Sequence, residues 1–285
     1  MLTRKWLRLR YQLKAFAGVT PRRTVFLHIP KCGGTTVFQH FKTNIGGGRS
    51  GRIARFDSMQ FAEFGTPALD NVQRAQFVSG HFGWRAMEAS GADAFRFTVL
   101  RDPFERLVSL YRFSRIKKEA ESHVFSAVFE AAKQRSFGDF CLSPEPELRS
   151  MIDNAMARAL ADDYHPFQRD EPGRTLRAAV DHVDLLDLVI DLPNLNAALP
   201  QLAKITGTKL MNRTSWENRT PAEKVSLLSR AEFESDEALA RVIALDRSLY
   251  RYAFSPGAVE TAPAAANDDG AEARWVSGRT ALPRN

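Results

Sequence analysis

Cysteine is nearly missing from this chain: Cys32 and Cys141 are the two among 285 residues. Two thiols build no disulfide framework, which excludes a small stapled scaffold and points to a reducing compartment. No apolar run approaches the roughly 20 residues that a bilayer-spanning helix needs. No cysteine–histidine spacing of a zinc site occurs, so no metal is implied. Internal repeats are absent as well. Aromatic residues fall in core-like apolar runs and not along a basic stripe, which argues against nucleic acid as a partner.

What is present is an ordinary globular composition, 44% hydrophobic and 26% charged, on a length that suits one large domain or two small ones. A net charge of +7 and a pI near 9.6 suit an anionic ligand such as a nucleotide, an acidic polysaccharide or a membrane surface. Residues 1–22 form a basic segment. Within it Trp6, Leu9, Leu13 and Phe16 recur at helical spacing among Arg4, Lys5, Arg8, Arg10 and Lys14. These charges interrupt the apolar stretch that a secretory signal requires. An amphipathic helix of this kind packs against the body of the protein, or lies peripherally on an anionic membrane through residues 1–16. After Phe254 the composition shifts to Ala, Pro, Gly, Asn and Asp, and residues 255–285 are expected to be a disordered tail. The folded domain is expected over residues 23–254, in the cytoplasm or at the membrane surface. Its oligomeric state is not legible.

Residues 24–41, TVFLHIPKCGGTTVFQHF, organise the rest. The β-branched and aromatic run 24–29 reads as a buried strand. Pro30 ends it, and Lys31-Cys32-Gly33-Gly34 makes a permissive loop. Thr35 and Thr36 cap the helix that Val37, Phe38 and Phe41 continue. A strand, a glycine loop and a helix start is the arrangement in which backbone N–H groups hold an anion, and here a lysine and two hydroxyls complete the cradle. Further strands are expected at 76–79, 95–100 and 186–191. Helices are expected at 58–64, 71–75, 84–90, 103–118, 125–134, 147–161, 174–183, 193–205, 221–230 and 236–250. That alternation predicts an α/β fold: a P-loop-like, mainly parallel central sheet with helices on both faces, in a single domain.

A second signal is the run 97–111, FTVLRDPFERLVSLY. Arg101 leaves the carboxyl end of a parallel strand, where open α/β sheets bind ligands. Ser109 lies two turns down the following helix, within reach of an anion gripped by the Arg101 guanidinium. Among six histidines, His81 follows a strand in a glycine-flanked turn on the crevice side. It is the choice for a general base, with His28 as runner-up.

A nucleotide triphosphatase loop places its lysine after the glycines, as G-x-x-x-x-G-K-[ST]. Here Lys31 precedes Gly33 and Gly34. HIPKCGGTT resembles instead the 5′-phosphosulfate loop of the sulfotransferases that use 3′-phosphoadenosine 5′-phosphosulfate (PAPS), and 97–111 resembles their 3′-phosphate motif. Similarity continues through FVSGHF at 77–82, DNAMARAL at 153–160 on the acceptor side, and LMNRT at 210–214. It fits the carbohydrate 2-O and 6-O sulfotransferases and their bacterial relatives better than the aryl and steroid enzymes. Cys32 stands where the family often has threonine. The resemblance implies sulfuryl transfer from PAPS to a saccharide hydroxyl by in-line displacement, without a metal. Lys31 would sit at the bridging oxygen. Cys32, Gly33, Gly34, Thr35 and Thr36 would hold the 5′-phosphate, and Arg101, Ser109 and Arg213 the 3′-phosphate. Two alternatives stay open. One is a P-loop kinase, with Asp191 ending a Walker B-like strand; the other is a non-catalytic nucleotide-binding module.

Overall fold

The computed structural model describes residues 23–45, 53–56, 74–117, 123–163, 171–209 and 226–254. The basic amino-terminal segment, the glycine-rich stretch 46–51, Arg213 and the tail 255–285 lie outside the described residues. So do the helix expected at 58–64, residues 71–73 of that at 71–75 and residues 221–225 of that at 221–230; residues 226–229 are not helical, and a helix begins only at Arg230.

Five strands form one parallel sheet: β1 (Arg23–Leu27), β2 (Ile53–Phe56), β3 (Phe77–Gly80), β4 (Ala94–Leu100) and β5 (Leu188–Asp191). Their order is β2-β3-β1-β4-β5. β1 and β3 are buried along their whole length and β4 at all but one position. Continuous burial of that kind requires cover on both faces of a sheet. Right-handed crossovers supply it: α1 (Gly34–Ile45) leads towards β2, whereas α2 (Trp84–Ala89) leads from β3 across to β4, which places them on opposite faces. The chain is therefore an α/β single domain on a P-loop-like sheet.

The remaining helices are α3 (Pro103–Ile116), α4 (His123–Gln134), α5 (Phe137–Cys141), α6 (Pro146–Ile152), α7 (Ala155–Ala161), α8 (Pro172–Leu185), α9 (Leu195–Thr206), α10 (Arg230–Ser235), α11 (Glu237–Val242) and α12 (Ala244–Phe254). Two cores result. One wraps the sheet, where Phe41 stacks on Phe77 at 4.0 Å and Phe26 on Phe97 at 4.9 Å. The other lies among the helices around Phe104, Tyr111, Phe137, Phe140 and Phe233.

Several boundaries differ from the sequence expectation. The first strand ends at Leu27, so His28 follows the strand and does not lie within it. β2 and α5 were not foreseen. The helix expected at 147–161 is two, because Asn154 takes a left-handed φ of 48° between α6 and α7. That at 236–250 is likewise two, parted at Ile243.

Asn154 and Arg158, expected on the acceptor side, are buried in a polar brace. The Asn154 side chain accepts from the Leu245 N–H at 2.8 Å and donates to the Arg241 carbonyl at 3.1 Å. Arg158 donates to Asp163 at 3.1 Å and to the Asp153 carbonyl at 3.2 Å. Asp246, fully buried, accepts from the Ala157 N–H at 2.7 Å and stands 3.9 Å from the fully buried Arg106. This brace ties α7 to α11, α12 and α3.

Candidate active site

Parallel register brings the carboxyl ends of four strands to one edge. Leu27 of β1 pairs with Gly80 of β3 and with Thr98 of β4, and Leu100 of β4 pairs with Asp191 of β5. After β1 the chain moves towards β2, and after β4 towards β5. The crevice between β1 and β4 is thus a topological switch point, where such sheets take ligands.

The loop after β1 is tightly determined. Gly33 has φ +78°, and a Cβ there would meet Leu192 Cδ1 at 2.5 Å. A Cβ on Gly34 would lie 1.9 Å from the His28 ring. Both positions therefore exclude a side chain. Lys31 itself takes φ +68°, a left-handed conformation costing on the order of 1–3 kcal/mol for a residue with a side chain. The Cys32 N–H donates to the Ile29 carbonyl at 3.2 Å, and the Thr36 N–H to the Gly33 carbonyl at 3.1 Å. Gly34 opens α1, where the first N–H groups have no intrahelical acceptor. The Cys32 side chain is buried, and burial pushes its thiol up to about 12.

Lys31 and Arg101 meet across the crevice: Arg101 Nη1 donates to the Lys31 carbonyl at 3.3 Å. The Lys31 ammonium rests 3.6 Å from the Phe113 ring centroid on α3, and the Lys117 ammonium lies 5.1 Å from the same ring. Burial, then the charges of Arg101 and Lys117, lowers the Lys31 pKa to about 7. Burial likewise lowers that of Arg101. Asp102, next to Arg101, is turned away. It caps α3 through the Glu105 N–H at 3.0 Å and takes both Arg230 nitrogens at 2.8 and 3.0 Å. Ser109 is half-buried one turn before Phe113 on the same side of α3.

On the other side of β1, His81 follows β3. Its ring lies 4.4 Å from the His28 ring and 6.5 Å from that of Phe125 on α4. Its Nδ1 is 2.6 Å from the His28 carbonyl oxygen. Because a carbonyl only accepts, Nδ1 carries the hydrogen, and in the neutral ring Nε2 is the basic nitrogen. The edge thus gathers the 31–36 loop, His81, His28 and Arg101, Ser109 lies two turns down α3, and Arg213 falls outside the described residues. His40 and His182 bond elsewhere, to Thr208 and to the Leu160 carbonyl. Asp191 accepts the Tyr250 hydroxyl at 2.7 Å. Phe113 and Phe125 were missed in sequence; the signal for Phe113 was its i+4 spacing from Ser109.

A family model described as "Sulfotransferase family" matches residues 20–167, just over half of the chain. The chain belongs to the sulfotransferase family. The matched span holds both loops and the histidine turn of the crevice, and the family's chemistry is sulfuryl transfer. A comparison with curated proteins gave no match. Among the described residues, no group of three or more His, Cys, Asp or Glu is gathered so as to hold a metal ion. No helix among them is long and apolar enough to cross a membrane.

Proposed function

We propose that this sulfotransferase moves the sulfuryl group of PAPS to a hydroxyl of a carbohydrate acceptor. The observation that carries the reading is the contact between Arg101 Nη1 and the Lys31 carbonyl. It puts the Arg101 guanidinium beside the loop that carries the Lys31 ammonium, and two such cations suit a nucleotide phosphorylated at both ends. Backbone N–H groups at Gly33 and Gly34, with Thr35 and Thr36, receive the 5′-phosphate at the start of α1. Arg101 and Ser109 receive the 3′-phosphate. In the reaction, the acceptor oxygen forms a bond to sulfur while the bond from sulfur to the bridging oxygen breaks. Lys31 meets the negative charge that develops on that oxygen. His81 Nε2 takes the acceptor's proton, and adenosine 3′,5′-bisphosphate leaves. Positioning and charge stabilisation supply the acceleration, as in phosphoryl transfer.

The test is transfer of labelled sulfate from PAPS to a panel of anionic and neutral polysaccharides, with calorimetric binding of adenosine 3′,5′-bisphosphate. Wild-type protein is expected to bind the bisphosphate and to label a saccharide, and Lys31→Ala and Arg101→Ala to cripple both. A wild-type protein that binds no bisphosphate defeats the reading. Binding without transfer to any acceptor favours a non-catalytic module.

A further inference from the structure

Lys31 has an aromatic face where a buried lysine ordinarily has an acid. Its ammonium stands 3.6 Å from the centroid of the Phe113 ring on α3. The titratable groups that act on it are Arg101 at the end of β4, Lys117 on α3 and the Cys32 thiol beside it in the loop. Two of these are cations, and burial keeps the thiol protonated. No carboxylate among the described residues pairs with the ammonium. Repulsion from Arg101 and Lys117 pushes a flexible four-carbon side chain towards water, and the negative face of the ring opposes it.

The ring is itself held. Phe113 meets the Phe129 ring on α4 edge to face, with centroids 5.9 Å apart, and Phe129 is buried. Phe129 packs in turn against Phe125 at 5.9 Å, and Phe125 lies 6.5 Å from the His81 ring. At its other end Lys31 leaves a loop that fixes its backbone at φ +68°. The lysine is thus constrained at both ends, by the loop at its Cα and by the ring at its Nζ. The kind of partner matters as well. A carboxylate here would neutralise the ammonium and occupy its N–H donors. A π face attracts the cation and leaves the N–H groups on its other side for the oxygens of an anionic ligand.

We infer that Phe113 is a positioning residue for Lys31: its ring takes the place of an acid, holding the ammonium at the phosphate loop in its charged form with donors open. What Lys31 does there rests on the donor site proposed above; how it is held rests on the ring contact.

The experiment follows the titration of Lys31 by NMR in lysine-labelled, ligand-free protein, with Lys31→Arg identifying the signal, and measures binding of adenosine 3′,5′-bisphosphate by calorimetry. Phe113→Leu keeps apolar bulk and removes the π face. Replacing Phe113 by mono-, di- and trifluorinated phenylalanine keeps the ring's shape and drains its face in steps. Losing the face destabilises the charged form, so in Phe113→Leu the Lys31 titration is expected to move down by about 0.4 to 1.5 on the pH scale, with the fluorinated rings in graded order between. Bisphosphate affinity of Phe113→Leu is expected to fall about 2- to 30-fold at pH 8 and by no more than about twofold near pH 5.5. A Lys31 titration that stays in place across the series overturns the assignment, as does a binding loss equal at both pH values, which a packing role alone would give. A wild-type protein that binds no bisphosphate, while the series still moves the Lys31 titration, defeats the donor site and upholds the ring contact.

Discussion

His81 donates through Nδ1 to the backbone oxygen of His28, 2.6 Å away. The bond fixes the ring's tautomer with a main-chain group, and it exists because the parallel pairing of β1 and β3 continues past Leu27, with the His28 N–H donating to the Gly80 carbonyl at 3.0 Å. In His81→Asn the amide nitrogen stands in for Nδ1 and keeps the donation, but no base remains. We expect this variant to melt like wild type and to bind adenosine 3′,5′-bisphosphate normally, while sulfate transfer falls about 10²- to 10⁴-fold. Wild-type transfer by His81→Asn in a labelled-sulfate assay would remove the histidine from the chemistry.

Lys31 gives the site a pH dependence whose sign is fixed. Its pKa is lowered to about 7 by burial and by Arg101 and Lys117. Phosphate binding draws on the charged form. Affinity for the bisphosphate is therefore full below about pH 7 and weakens as pH rises, by at most about tenfold per unit. Calorimetry near pH 8 in buffers of different ionisation enthalpy should register proton uptake. Lys31→Arg, charged throughout, should flatten the profile. An affinity that is constant from about pH 6.5 to 8.5, with no proton uptake, contradicts this account.

Residues whose role follows from their own backbone or from local order were legible in the sequence. The glycines at 33 and 34, the proline at 30 and the lysine ahead of them announce the loop, and Asp102-Pro103 announces the start of α3. Four strands were found because their β-branched and aromatic runs are continuous. β2 was not, since IARF is four residues long and follows a glycine-rich stretch. α5, FGDFC, is five residues long and contains a glycine. Asn154 broke a helix that composition reads as continuous, because its left-handed turn is held by α12 and by the carbonyl of Arg241, some 90 residues away. Phe113 carried a signal in its i+4 spacing from Ser109, but nothing local named its partner. Its partner Lys31 is brought beside it by the sheet and not by any spacing within α3.

Gly34 and His28 form a coupled pair. A methyl group at 34 would stand 1.9 Å from the imidazole, so Gly34→Ala should force the ring off the loop at a cost of about 1–3 kcal/mol and weaken nucleotide binding. His28→Ala removes the obstacle. The double variant should be more stable than the sum of the single effects predicts, a coupling of about 0.5–3 kcal/mol. Urea unfolding of the four-member cycle measures it. Strict additivity would mean that the imidazole does not sit on the glycine.

Arg106 and Asp246 are both fully buried, 3.9 Å apart. Asp246 also accepts the N–H groups of Ala157 and Met156 at the start of α7. Removing one member of such a pair leaves a buried charge without its counter-charge, so Asp246→Ala should cost about 3–5 kcal/mol. Asp246→Asn, which keeps the shape and one acceptor oxygen, should cost less. Arg106 stands on α3 between Arg101 and Ser109, so slackening its anchor should also displace the proposed 3′-phosphate ligands. Asp246→Ala is therefore expected to lower the melting temperature and, at a temperature where it is still folded, to weaken bisphosphate binding more than monophosphate binding. Loss of stability with an unchanged ratio between the two nucleotides would confine the brace to folding and detach it from the site.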